Sequence, residues 1–169
     1  MHNLTHKKFL QEKIIAVMLL FCASFSLYAA DVGDLLPGFQ LKDQFGKAHT
    51  LEPAIKRIYF THDMAGGKLL KAALGDNGQA ILDGQQAVAM TDVSAMPSVI
   101  RSMMALPAMK KRSYQIWIDE AGTVIGGLPR QPDQVTVIEL DQLKIIAVRF
   151  VADEKALVAA GLQSGSSQQ

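Results

Sequence analysis

Arg57-Ile58-Tyr59-Phe60-Thr61-His62-Asp63-Met64-Ala65-Gly66-Gly67-Lys68 decides how this 169-residue chain is read. The first five residues, rich in β-branched and aromatic side chains, have the make-up of a buried strand. Small residues then turn the chain into the first turn of a helix. In an α/β protein this junction lies at the carboxyl end of a central strand, where ligands and chemistry gather. Here it carries no cysteine, no serine and no glycine-rich phosphate loop.

Working outward, Leu36 to Leu51 reads as a β-hairpin: Phe39 and Leu41 alternate with polar neighbours, Asp43 to Lys47 turn, and His49 and Leu51 resume the alternation. Beyond the junction, Leu70, Ala73 and Leu74 have helical spacing and Gly75 is a C-terminal stop. Gln79 to Leu82 adds a further helical turn. Gln86 to Met90 is a second central strand. Thr91, Asp92 and Ser94 are candidate N-caps, Pro97 suits a first helical turn, and Met96, Val99, Ile100 and Met103 form one apolar stripe that Pro107 ends. Tyr114 to Ile118 is a strand, Asp119 to Gly122 a turn, and Thr123 to Ile125 a return. Residues 135–140 and 144–150 are two further strands, antiparallel because a two-residue turn joins them. Asp153 caps a last helix through Leu162. The expectation is one sheet containing residues 57–61, 86–90, 135–140 and 144–150, the first pair parallel, with helices on both faces.

The two ends read differently. Residues 1–30 have the pattern of a signal peptide: Lys7, Lys8 and Lys13, an apolar run from Ile14 to Leu27, and Tyr28-Ala29-Ala30 for cleavage after Ala29 or Ala30. The run falls short of the roughly 20 residues of a membrane span. Cys22 follows Phe21 rather than the small residue of a lipid-attachment site, so it reads as an apolar residue of the run. Residues 31–162 are then one domain, and the polar tail 163–169 a disordered end. The expected location is the periplasm, with no membrane attachment after cleavage. Cleavage after Ala30 leaves about 139 residues with 14 basic against 15 acidic side chains. That balance speaks against nucleic acid as a partner. The only cysteine, Cys22, leaves with the leader. The mature chain then has neither disulfide nor thiol chemistry.

Taken in order, these elements resemble the thioredoxin-like superfamily, in particular its exported thiol-reductase and peroxiredoxin branch. Gly33 to Asp43, with Gly46-Lys47 and Thr50-Leu51, is similar to that branch's opening signature. Tyr114 to Gly122 is similar to its strand ending in Asp-x-x-Gly, and Val135 to Asp141 to its later strand ending in Asp. The resemblance implies an α/β, thioredoxin-like fold: a central mixed sheet flanked by helices, with an N-terminal β-hairpin. It also sets Met64-Ala65-Gly66-Gly67-Lys68 against the family's Trp-Cys-x-x-Cys, with Ala65 and Lys68 where the cysteines belong. The family's cis-proline position falls near Val135; the nearest proline is Pro132. Without a thiolate there is no nucleophile for disulfide exchange, so the resemblance implies a redox-inactive member.

His62, Asp63, Met64, Ala65 and Lys68 are therefore the candidate binding region. Asp63 reads equally as a helix-capping carboxylate, and Asp92 as another cap. His62 is a possible metal or ligand contact, with His49 as a partner; alone, His49 is a half-exposed strand residue. Met64, Met90, Met96, Met103, Met104 and Met109, with histidine, are a donor set suited to Cu(I), though core filling is the plainer use. Lys110-Lys111-Arg112 reads as a solvated loop. The functional expectation is a protein without enzymatic activity or cofactor that binds a peptide, a protein or a small ligand at the old active-site end; the alternative is periplasmic copper binding.

Overall fold

The computed structural model describes residues 30–162. The leader, apart from Ala30, and the tail 163–169 lie outside the described residues. The chain runs β1 (Gln40–Asp43), β2 (Ala48–Thr50), β3 (Arg57–Thr61), α1 (Met64–Leu74), a 3-10 turn (Gly75–Asn77), α2 (Gly78–Gly84) and β4 (Ala87–Asp92). There follow α3 (Ser98–Ile100), a π segment (Arg101–Ala105), α4 (Leu106–Met109), β5 (Ile116–Asp119), β6 (Val135–Asp141), β7 (Lys144–Val151), α5 (Glu154–Leu157) and a second π segment (Val158–Leu162).

All seven strands join one mixed sheet in the order β2-β1-β5-β4-β3-β6-β7. β3 pairs in parallel with β4, and β4 with β5; β3–β6, β6–β7, β1–β2 and β1–β5 are antiparallel. The expected sheet and both expected strand directions are present, and β3 lies between β4 and β6.

Alternation along each central strand divides the core in two. Tyr59, Ala89, Ile116 and Val137 face one cluster, where Leu70 and Leu74 of α1, Leu82 of α2 and Leu157 of α5 cover them. Ile58, Phe60, Met90, Trp117 and Ile138 face the other cluster. The expectation of helices on both faces is corrected there: that second cluster is closed by Ala30, Leu36, Leu51, Ile125 and Leu128, residues of non-helical segments.

Three local readings change for identifiable reasons. Residues 123–125 do not return as a strand. The buried Asp119 carboxylate accepts the N–H groups of Ala121, Gly122, Val124 and Ile125 at 3.2, 2.9, 2.7 and 2.8 Å, so those donors are unavailable to a ladder. Pro107 does not end its helix but sits in the first turn of α4. The wider π turn before it relieves the conflict between the proline ring and the preceding turn. The Met96–Met103 stripe is not buried: Val99 is 64% exposed and Met103 73%, while Leu106 and Met109 make the contact with the core.

Candidate functional site

α1 starts where β3 ends because Asp63 holds it there. Asp63 is the N-cap; its Oδ1 accepts the Gly66 N–H at 2.8 Å. Its Oδ2 accepts the Asp133 N–H, also at 2.8 Å, which ties the segment before β6 to the same helix end. Gly66 permits this approach: a Cβ there would lie 2.6 Å from the Gln134 carbonyl oxygen. The helix closes at Gly75, whose φ of 55° is in the left-handed region that glycine enters freely. Among the described residues there is no cis peptide bond, and Gln134-Val135 stands where the resemblance would place a cis-proline.

At the carboxyl ends of β3 and β4, a cavity of about 340 Å³ opens between α1 and the helical run Ser98–Met109. His62, Asp63, Met64 and Lys68 all border it, so four of the five candidate binding residues meet at one site. Ala65 is half-buried on α1 and is not part of the lining. The rest of the wall is mainly apolar: Leu70, Val93, Ile100, Tyr114, Ile116, and five methionines, Met64, Met90, Met96, Met104 and Met109. Met90 is fully buried, as core filling requires; Met64 and Met104 are 67% exposed and form part of the rim.

Polar groups at the site divide by sign. The two carboxylates are satisfied from within. Asp63 takes the two backbone donors described. Asp92 is not the helix cap that its position suggested. It ends β4, buried, with Oδ1 accepting the Ser94 N–H at 2.9 Å and Oδ2 paired with Arg130 Nη1 at 3.0 Å. Burial pushes its carboxyl up, but the Ser94 hydrogen bonds and the Arg130 guanidinium outweigh that and hold it below the ordinary 3.8. Arg130 in turn lies over the Phe60 ring, 5.2 Å from its centre, and donates to the Gly126 carbonyl at 2.6 Å. The basic groups are less well supplied. His62 stacks near Phe60, with ring centres 6.2 Å apart, and its Nε2 is 3.6 Å from Asp63 Oδ2; its buried Nδ1 has no hydrogen-bond partner. Arg112, which borders the cavity and is only half-exposed, has a buried Nε that is likewise unpartnered.

Arg112 was hidden in sequence within a basic run whose other members, Lys110 and Lys111, are exposed as a solvated loop would have them. Only the fold brings it to the cavity. His49, by contrast, does not join His62. It lies on β2, four strand spacings from β3, or roughly 19 Å. Its Nε2 is 2.9 Å from Asp43 Oδ2 and its ring stacks on Trp117 at 5.3 Å. Burial raises the Asp43 carboxyl, but bonds from His49 and from the Lys47 and Phe45 N–H groups bring it below 3.8. No three His, Cys, Asp or Glu residues gather closely enough to hold a metal ion among the described residues. The pairing of His49 with His62 on which a copper site could draw is therefore absent.

No family model and no curated protein matches the chain. Solved structures do. Peroxidoxin BcpB from Mycobacterium tuberculosis matches with a TM-score of 0.52 and 16% identity, over 80% of this chain and 98% of that one. A putative protein disulfide isomerase from Bacteroides thetaiotaomicron matches with 0.56 and 16%, over 82% and 94%. A putative thiol:disulfide interchange protein DsbE from Chlorobium tepidum gives 0.52 and 18%, over 78% and 98%. At these identities the likeness is one of fold, and the fold is thioredoxin-like. The same matches correct one expectation. The expectation of a protein without enzymatic activity rests on the absence of cysteines from the site, whereas the matched structures are those of a peroxidoxin, a putative protein disulfide isomerase and a putative thiol:disulfide interchange protein. A thioredoxin-like fold with the single cysteine Cys22 does not exclude catalysis, and that exclusion is withdrawn.

Proposed function

We propose that this thioredoxin-like domain binds an apolar or amphipathic ligand in the cavity at the carboxyl ends of β3 and β4. The observation that carries this reading is the cavity's lining: apolar side chains from α1, β4 and the 95–109 segment, with Met64, Ile100 and Met104 exposed around it. Exposed apolar residues grouped about a concave site mark a surface that a ligand covers. Methionine suits the task because its unbranched, polarisable side chain repacks around differing shapes. The place is also where open α/β sheets carry their ligands, outside the carboxyl ends of the strands. The residues that replace the family's cysteines in the resemblance, Ala65 and Lys68, lie on the helix that forms one wall.

Binding of a neutral, environment-sensitive dye such as N-phenyl-1-naphthylamine tests this reading. Saturable fluorescence enhancement at one site per chain is expected. Ala105→Phe and Ala108→Phe, which place rings against the cavity wall, should each weaken it by about tenfold, or about 1.4 kcal/mol. A wild-type protein that does not bind, or filled variants that bind as well as wild type, would overturn it.

We also propose that the domain works in the periplasm after removal of its leader. The support is the basic, apolar and small-residue order of residues 1–30; among the described residues no helix is long and apolar enough to cross a membrane. N-terminal sequencing of exported protein should begin at Ala30 or Asp31. Retention of Lys7 and Lys8 would contradict it.

A further inference from the structure

The polar groups around the cavity say what kind of apolar ligand it takes. Three basic side chains border it: His62, Lys68 and Arg112. Among the described residues neither Lys68 nor Arg112 is in an ion pair with a carboxylate. Arg112 Nε and His62 Nδ1 are buried without partners. The fold thus leaves the Arg112 guanidinium without a carboxylate and without a full set of acceptors, and the outer Nη groups of that guanidinium are what a ligand can pair with. The acidic side chains of the same wall, Asp63 and Asp92, each have a partner on both oxygens: Gly66 and Asp133 for the first, Ser94 and Arg130 for the second. Asp92 is offset by Arg130 and Asp63 keeps its charge, so Lys68 and Arg112 together leave the site one positive charge in excess to offer a ligand.

Resting on the binding reading above, we infer that the ligand is a single-chain amphiphile with an anionic head, a fatty carboxylate being the simplest case. Its carboxylate meets the Arg112 guanidinium, with His62 and Lys68 nearby, and its chain lies along Met96, Met104 and Met109. Guanidinium and carboxylate match in planar, two-pronged geometry, which gives such a head its advantage over a neutral one. Size agrees: at roughly 30 Å³ for each water-sized group, a cavity of about 340 Å³ holds about eleven such groups. A saturated carboxylate of roughly ten carbons is of that size.

The experiment displaces the neutral dye from the full folded protein with decanoate, 1-decanol and decylamine, the two ionic ligands below their micelle-forming concentrations and the alcohol below its solubility limit. Decanoate should displace at a concentration at least about tenfold lower than 1-decanol, and decylamine should be the weakest. Arg112→Met should bring decanoate to within about twofold of 1-decanol, while Arg112→Lys keeps part of the preference. Thermal unfolding of each variant confirms that it is folded, and the wild-type comparison of the three ligands stands by itself. Equal displacement by decanoate and 1-decanol would overturn the anionic head and leave the apolar site intact. Failure of the dye itself to bind would overturn the underlying reading instead.

Discussion

Adjacent glycines in α1 should respond to the same substitution with opposite signs. Gly66 and Gly67 both lie in the first half of the helix, and glycine within a helix is less stable than alanine by about 0.5–1 kcal/mol. A Cβ at Gly67 meets nothing within 4 Å, so Gly67→Ala should stabilise by about that amount. A Cβ at Gly66 lands 2.6 Å from the Gln134 carbonyl oxygen. Forcing an extra carbon into a packed contact costs about 1–3 kcal/mol. The contacted atom is main chain, in a segment tied back by the Asp63–Asp133 hydrogen bond, which places the cost near the upper end. After the helix gain is subtracted, Gly66→Ala should lose about 2 kcal/mol. For a domain of this size that is a fall of roughly 6–10 °C in Tm, against a rise of about 2–4 °C for Gly67→Ala. Urea denaturation at neutral pH with circular dichroism, repeated as thermal melts, gives both values. If the two variants moved the midpoint in the same direction by similar amounts, α1 would not be docked on the 133–134 segment as described.

Asp63→Ala removes an N-cap and a charge-assisted bond to Asp133, and should lower stability by about 2–4 kcal/mol; Asp63→Asn, a comparable cap, should recover most of the first part. A urea midpoint that Asp63→Ala leaves unchanged would contradict this assignment. For pH, Asp92 is held below its ordinary 3.8 in the folded state, so its contribution is full above about pH 5 and is lost as pH falls through that value and below. Asp92→Asn, less stable at neutral pH because Arg130 loses its anionic partner, should therefore lose less stability than wild type between about pH 5 and about pH 3. Equal losses would refute the linkage. Within the carboxylate series, each pair of methylenes removed should weaken displacement of the dye by roughly tenfold; affinity independent of chain length would place the ligand outside the cavity.

The sheet was legible because its strands are written in alternation. Ile58 and Phe60 against Tyr59, and Val135 and Val137 against Ile138, each send apolar side chains to two faces. The caps were legible too, since Asp63 and Asp153 are followed three residues later by the N–H that each accepts. What covers the second face was not. Loops carry no periodicity, and Ile125 and Leu128 look like any apolar residues between turns. Asp92 misled because an aspartate before a helix reads as a cap; its partner Arg130 is 38 residues away. The stripe from Met96 to Met103 misled more usefully. A helix face written to be buried, and left exposed beside a cavity, has the pattern of a core without its other half. Arg112 carried no signal at all, because a basic residue before a strand takes its meaning from what the fold sets opposite it.

The most direct measurement is a methyl NMR titration of protein carrying ¹³C-labelled methionine methyl groups with the neutral dye. The six methionines from residue 64 onward supply the probes and the controls: Met64, Met96, Met104 and Met109 border the cavity, the Met90 side chain enters the core on the opposite face of the sheet, and Met103, adjacent to Met104 in sequence, does not border the cavity. Ring currents from a dye seated in the cavity should shift the four cavity resonances in a saturable, common titration and leave Met103 within about a tenth of their mean shift. Four unmoved cavity methyl groups at saturating dye, or Met103 shifting as far as Met104, would contradict the account.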